Sequence, residues 1–261
     1  ERDGEPRQRV QPVEAFQVAL EDCSQHPPAE RDARVQQYVQ AHAGTPFDLA
    51  VDLPIRAGVL RLGEQEHVLA LCLHHIAGDG WSVGVLRREL SQAYQAARGQ
   101  GPALEPLALQ YIDYAHWQRS WLSEARQQAQ LGYWQQQLAA LPPLLELPTD
   151  RARPAVQSHR GGSLDVQLPA HLVGPLKQLA QSRQASLFMV LLAGFQAILA
   201  RYSGQDDIAV GSPVANRPRA ELEGLIGFFV NTLVLRAQVD PHTSFQSLLE
   251  QVRETTLAAY D

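Results

Sequence analysis

The chain has 261 residues, 45% hydrophobic and 19% charged, with a formal net charge of −6. That is ample for a packed core and exceeds one typical domain length, while the mild acidity argues against nucleic acid or an anionic membrane as partner, since both need clustered Lys and Arg. No apolar run approaches the roughly 20 residues of a membrane helix, no signal peptide opens the chain, and the two cysteines, Cys23 and Cys72, read as reduced thiols of a cytoplasmic protein rather than a disulfide framework or metal site.

Both ends look cut. The opening ERDGEPRQRVQPV reads as the middle of a hairpin or loop, and the last helix runs straight into Tyr260 and Asp261. Residues 30–42 show helical spacing, with Val35, Tyr38, Val39 and Ala43 on one side. Two strand-like runs follow, 55–62 and 67–75, which read as antiparallel neighbours. Leu69, Leu71 and Leu73 alternate with Val68, Ala70 and Cys72, so the second run is expected to be buried on both faces. From Trp81 to about Ala97 the period turns helical, with Val85, Leu86, Leu90 and Tyr94 as its core stripe.

A helical, aromatic-rich stretch covers 111–122 and continues to Tyr133 and Trp134. Residues 142–154 form a proline-punctuated, extended connector. A strand is predicted over 163–168, helices over 170–183 and 186–202, and a short strand over 207–211. A loop holding Asn216 and Pro218, a strand over 229–239 and a final helix from Ser244 complete the chain. Such alternation implies an α/β sandwich on a mixed sheet. The pattern recurs loosely on either side of the connector, which fits two lobes of similar construction.

The run HHIAGDGWS, His74 to Ser82, ends a strand and opens a helix. N–H groups at the helix start, around Gly80 and Trp81, lack partners and carry the positive end of the helix dipole, so they suit a developing oxyanion. Glycine lets a substrate approach the main chain. A histidine can take a proton from an attacking amine near neutral pH. The parts for acyl transfer to an amine therefore lie within a few residues. Adjacent strand residues face opposite ways, so His74 and His75 cannot converge on one metal ion, and no metal site is expected. One histidine faces the reaction and the other packs. Asp79 has two structural roles open, capping the helix or pairing with a buried arginine. The chain has no GxSxG elbow, phosphate-binding GxxxxGK[ST], HExxH or GxGxxG.

Three ordered blocks carry a family resemblance. HHIAGDGWS is similar to an HHxxxDG motif, YIDYAHWQ (Tyr111 to Gln118) to a YxDYAxWQ block, and IGFFVNTLVLR (Ile226 to Arg236) to an IGxFVNTxxxR block. RYSGQDDIAVGSPVANRP and LELPTDRARP are equally characteristic. Together they resemble the condensation domain of nonribosomal peptide synthetases, in the superfamily of chloramphenicol acetyltransferase. The resemblance implies an α/β fold of two chloramphenicol acetyltransferase-like lobes, each a mixed sheet packed with helices. Residues 1–120 would be the remainder of the N-terminal lobe, and 121–261 the first part of the C-terminal lobe, including connector 141–162. It implies an internal section whose motif aspartate has lost its arginine partner to the missing part, and which is inactive or poorly stable alone.

By the same resemblance, donor and acceptor peptidyl carrier proteins bring phosphopantetheine arms, and an adenylation domain lies adjacent. No cofactor is bound directly, and no nucleic acid or membrane takes part. The donor arm carries an aminoacyl or peptidyl thioester, and the acceptor amine attacks it. His75 matches the catalytic histidine, as base or as positioning group, and His74 the buried one. Gly80 matches the oxyanion-binding N–H, with Asp79 completing the motif. Trp81, Ser82 and Asn231 are expected along the substrate channel, although packing is the simpler role for Trp81, Tyr111 and Trp117. An epimerisation domain fits FFVNTLVLR less well, a cyclisation domain would carry aspartates for histidines, and a silent docking module would have a degraded motif.

Overall fold

The computed structural model describes Gly4 and residues 7–12, 16–158 and 161–260. Of the opening stretch expected to be loop or hairpin, residues 1–3, 5, 6 and 13 lie outside the described residues, as does Asp261. The chain divides into two compact units, one of residues 1–116 with 215–229, the other of 117–214 with 230–261. The segment Ala215–Phe229 thus returns to the first unit from the far half of the sequence.

In the first unit, β1 (Val18–Asp22), β2 (Ile55–Arg61) and β3 (His67–Leu73) form a sheet in that order. β2 and β3 pair antiparallel from Ile55↔Leu73 to Arg61↔His67, whereas β1 pairs parallel to β2. The sequence reading had assigned no strand at β1, whose polar run VALED shows little alternation. α1 (Pro28–Gly44) begins with a proline at its first position, where the missing N–H costs nothing. It covers one sheet face, where Tyr38, Leu60, Leu62, Ala70 and Cys23 form the core. The expectation that β3 is buried on both faces is corrected. Only the face carrying Ala70 is covered by α1, and Leu69 and Leu71 lie exposed with Val18 and Leu20.

α2 (Gly80–Ala97) buries Ser82 and Val85, while Leu90 and Tyr94 of the expected core stripe are exposed. α3 (Tyr111–Trp121) starts on an N-terminal turn in which Asp113 accepts from the Gln110 N–H at 2.8 Å. The division between the units falls within this helix.

In the second unit, α4 (Glu124–Gln137) is separate from α3, the break lying at Leu122 and Ser123. The extended connector follows without helix or strand. The strand expected over 163–168 does not form, because extended backbone becomes a strand only by pairing and no partner reaches it among the described residues; Leu164 and Val166 are exposed. α5 (Ala170–Ser182) leads to α6 (Leu187–Ser203), capped by Ser186 and stopped by Gly204 at φ +69°, a left-handed turn suited to glycine. β4 (Asp207–Val214) and β5 (Asn231–Gln238) pair antiparallel, and α7 (Phe245–Tyr260) closes the chain.

Val190, Ala193, Leu235, Leu249 and Val252 center this unit's core. Gln196 donates from α6 to the Leu235 carbonyl at 2.9 Å, locking helix to sheet. Arg236 forks onto both oxygens of Asp207 at 2.7 and 2.5 Å and donates to the carbonyls of Gln137 and Ala139, tying α4 to the sheet. Phe188, Leu191, Phe195 and Ile198 form an exposed stripe on α6. Among the described residues no single helix is long and apolar enough to cross a membrane. α5 and α6 pass that test only as a pair, bent by 103°.

Candidate active site

The β3 ladder stops at Leu73, so both histidines of the motif stand beyond it. His74 is half-buried. Its backbone N–H donates to the Pro54 carbonyl at 2.8 Å, and its Nδ1 accepts from the Ile76 N–H at 3.0 Å. Its ring meets the Phe47 ring edge-on at 5.8 Å. His75 is exposed, and its ring lies T-shaped against Phe228 at 5.1 Å. Neither of its ring nitrogens has a hydrogen-bond partner among the described residues.

Asp79 is the N-cap of α2, and it is buried. Its Oδ1 accepts from the Ser82 N–H at 2.9 Å, and its Oδ2 from the Phe229 N–H at 3.0 Å. Arg217 Nη2 lies 3.2 Å from Oδ1, with both side chains 2% exposed. Burial pushes the Asp79 carboxyl up, but the Ser82 and Phe229 bonds and the Arg217 charge outweigh it and hold it below the ordinary range. The expectation of a missing arginine partner is therefore corrected, because Arg217 in the returning segment supplies it. Of the two structural roles, Asp79 fills both.

Arg217 is anchored in turn by Nη1 donating to the carbonyls of Leu222 and Leu225 at 2.6 and 2.9 Å, with its guanidinium 3.9 Å from the Phe229 ring center. The sequence reading missed it. The available signal was a lone arginine in ANRP, directly after Asn216, which adopts φ +50° and turns the chain.

Ser82 does not line an open channel, as had been expected. It is fully buried, with Oγ 2.8 Å from Asp79 Oδ1 and 2.9 Å from the Gly227 carbonyl, to one of which it donates. The same oxygen accepts from the Gly227 N–H and from Arg217 Nη2 at 3.1 Å each. Trp81 is 45% exposed, and its indole N–H donates to the Glu223 carbonyl at 2.9 Å.

The second sequence block braces the third. Tyr111 donates its hydroxyl to the Phe228 carbonyl at 2.7 Å, and the rings of Tyr111 and Tyr114 pack on Phe229 at 5.1 and 4.5 Å. Burial raises the Tyr111 phenol, which keeps its proton as a donor. A methyl group on Gly227 would overlap the Tyr111 ring, which is why the chain needs glycine there.

Gly80, by contrast, has open space where a side chain would stand. It is the first residue of α2, where N–H groups find no acceptor within the helix. Asn231 opens β5 in the other unit, with its Oδ1 accepting from the Thr232 N–H at 2.9 Å. Trp117 also falls in that unit, its ring stacked on Trp121 at 5.7 Å. The first unit thus gathers His74, His75, Asp79, Gly80, Trp81 and Ser82 into one locked turn with a single exposed imidazole.

The family model described as the condensation domain matches residues 1–261. This chain belongs to the condensation-domain family. One of the linear gramicidin synthase proteins of Brevibacillus parabrevis is 47% identical over the whole chain, which spans only 3% of that relative's length. Among solved structures, the X-domain from teicoplanin biosynthesis superposes with a TM-score of 0.81 at 30% identity, over 94% of this chain and 54% of that one. A condensation domain involved in chain release from the enacyloxin polyketide synthase gives 0.76 at 25%, over 98% of this chain and 50% of that one. The mixed α/β arrangement with helices on its sheets is a condensation-domain fold, and the condensation domains of nonribosomal peptide synthetases are acyltransferases.

Proposed function

We propose that this chain carries the active-site motif of a peptide-bond-forming condensation domain. In this reading the amine of an acceptor aminoacyl group attacks the carbonyl of a donor aminoacyl or peptidyl thioester, each held on the phosphopantetheine arm of a carrier protein. A C–N bond forms, the C–S bond breaks, and the donor thiol leaves with the proton the amine has lost. The single observation supporting it is the contrast within the motif. Asp79 is buried and fully bonded and His74 is held through Nδ1, while His75 alone is exposed with both ring nitrogens available among the described residues.

His75 then meets the attacking amine, and the Gly80 N–H meets the carbonyl oxygen as it gains charge, where the helix start favors an anion. Asp79, Ser82 and Arg217 hold that turn in shape and do no chemistry. The experiment is dipeptide formation by the full synthetase with loaded donor and acceptor carriers, comparing His75→Ala with wild type. Loss of at least about a hundredfold in rate is expected, and a wild-type rate would overturn the assignment.

The X-domain likeness supports a second reading, since that domain has also been solved in complex with OxyB. Here the fold would serve to bind a third protein. Tight capture of such a protein with no condensation in the same assay would reverse the choice.

A further inference from the structure

Phe228 lies in the returning segment but packs into no core. Its neighbor Phe229 is 2% exposed, whereas Phe228 is 42% exposed, a large aromatic side chain left facing solvent. The IGxFVNTxxxR block that carries the resemblance leaves position 228 unspecified, so that pattern gives no reason for an aromatic residue there. The ring it meets among the described residues is that of His75, 5.1 Å away and inclined at 77°.

The main chain behind Phe228 is fixed on both sides. The Gly227 N–H donates to Ser82 Oγ at 3.1 Å, and the Phe229 N–H donates to Asp79 Oδ2 at 3.0 Å. Between them the Phe228 carbonyl accepts the Tyr111 hydroxyl at 2.7 Å. The Phe229 ring is clasped by Tyr111, Tyr114 and the Arg217 guanidinium. All of these residues belong to the first unit, as does His75. A side chain projecting from a backbone so held keeps little freedom beyond its own χ angles.

His75 has no comparable hold of its own. Its ring nitrogens lack partners among the described residues, so no hydrogen bond selects among the staggered χ1 wells and the broad χ2 range of an exposed imidazole. His74, by contrast, is fixed through Nδ1. An edge-to-face contact favors one ring orientation by about two- to twelvefold over orientations that lack it. Such a bias matters to the reaction, because a reacting group about 1 Å out of place costs on the order of a hundredfold in rate.

We propose that Phe228 is a positioning residue for His75, holding the imidazole in one orientation toward the attacking amine, and that Tyr111 acts through it by fixing the Phe228 carbonyl. In this role Phe228 moves no proton. It supplies to His75 the restraint that a hydrogen bond supplies to His74. The inference rests on the condensation reading of His75, but it fails separately from it.

The test is dipeptide formation by the intact synthetase with loaded carriers, resolved into kcat and acceptor KM. Phe228→Ala should lower kcat by about tenfold and leave KM within about twofold, as expected when orientation rather than binding is lost. Phe228→Tyr keeps the ring and should stay within about twofold of wild type. Phe228→Leu keeps apolar bulk without a ring and should remain at least about fivefold slow. Placed on His75→Ala, Phe228→Ala should slow turnover no further, since no imidazole remains to be positioned. Tyr111→Phe should lower kcat by about threefold in wild type and add nothing to Phe228→Ala. Full turnover in Phe228→Ala, rescue by leucine equal to that by tyrosine, or an undiminished loss in the His75→Ala background would overturn the inference while the condensation reading stands. A Tyr111 effect that adds to that of Phe228 would remove Tyr111 from this role. A wild-type rate in His75→Ala would overturn the condensation reading itself.

Discussion

Arg217 Nη2 and Asp79 Oδ1 lie 3.2 Å apart although 138 residues separate them in the chain. Removing one partner of such a buried pair leaves the other charge uncompensated. Arg217→Met should therefore destabilize the domain by about 3–5 kcal/mol, read as a lower urea midpoint with unchanged slope. Combining it with Asp79→Asn should recover part of the loss, because the remaining polar group is then neutral. An additive double variant would show that the pair is not coupled.

Gly80→Ala isolates chemistry from folding. Open space surrounds the position where its side chain would stand, so the thermal midpoint should stay within about 2 °C of wild type. The methyl group would nonetheless crowd a substrate carbonyl approaching the helix start. Condensation should slow by about tenfold or more, and undiminished turnover would remove the Gly80 N–H from the mechanism.

Gly227→Ala is the opposite case. The added methyl collides with Tyr111 and lies 3.0 Å from Phe229, so the aromatic brace has to shift. A loss of about 1–3 kcal/mol in denaturant unfolding is expected, and pairing it with Tyr111→Ala should relieve the clash without restoring the lost packing.

Acid should destabilize both units. Asp207 is held below the ordinary carboxylate range first by its hydrogen bonds from Arg236, and Asp79 is held there by the network described above. The folded state consequently binds fewer protons than the unfolded one. The stabilization is complete above about pH 5 and is lost as the pH falls through the ordinary aspartate range, near pH 4, toward the depressed folded values. Urea midpoints measured from about pH 7 down to about pH 3 should decline accordingly, and less steeply in Asp207→Asn.

The 261-residue chain expressed alone should bind a hydrophobic dye and self-associate. Val18, Leu20, Leu69 and Leu71 leave one face of a sheet apolar and exposed, and Phe188, Leu191, Phe195 and Ile198 do the same for α6. A monodisperse, dye-silent monomer in light scattering would contradict this.

Much of this fold is legible locally. Helical spacing placed α1, α2, α6 and α7 to within about two residues, and Asp79 before Gly80 marked the start of α2 through its capping chemistry. Failures came where structure depends on a distant partner. The run 163–168 alternates like a strand but has no neighbor among the described residues, and β1 alternates poorly but has β2. In the site, the roles of Asp79 were legible as alternatives, while Arg217 was not, because nothing in ANRP says which carboxylate the arginine will meet. Ser82 was misread for the same reason. Its hydroxyl is held by Asp79 and by Gly227, the latter 145 residues away.

The return of Ala215–Phe229 to the first unit also sets an order in time. A ribosome adding about 5–20 residues per second makes HHIAGDGWS roughly seven to thirty seconds before Arg217 and Gly227 exist. During that interval Asp79 and Ser82 lack most of their partners, so the turn can be helical at Gly80 but not locked. Closing so long a loop costs little more entropy than closing a short one, yet such high contact order slows folding. The geometry of the turn is therefore acquired late, and a nascent chain paused before residue 217 would carry the whole histidine motif in an unfinished form.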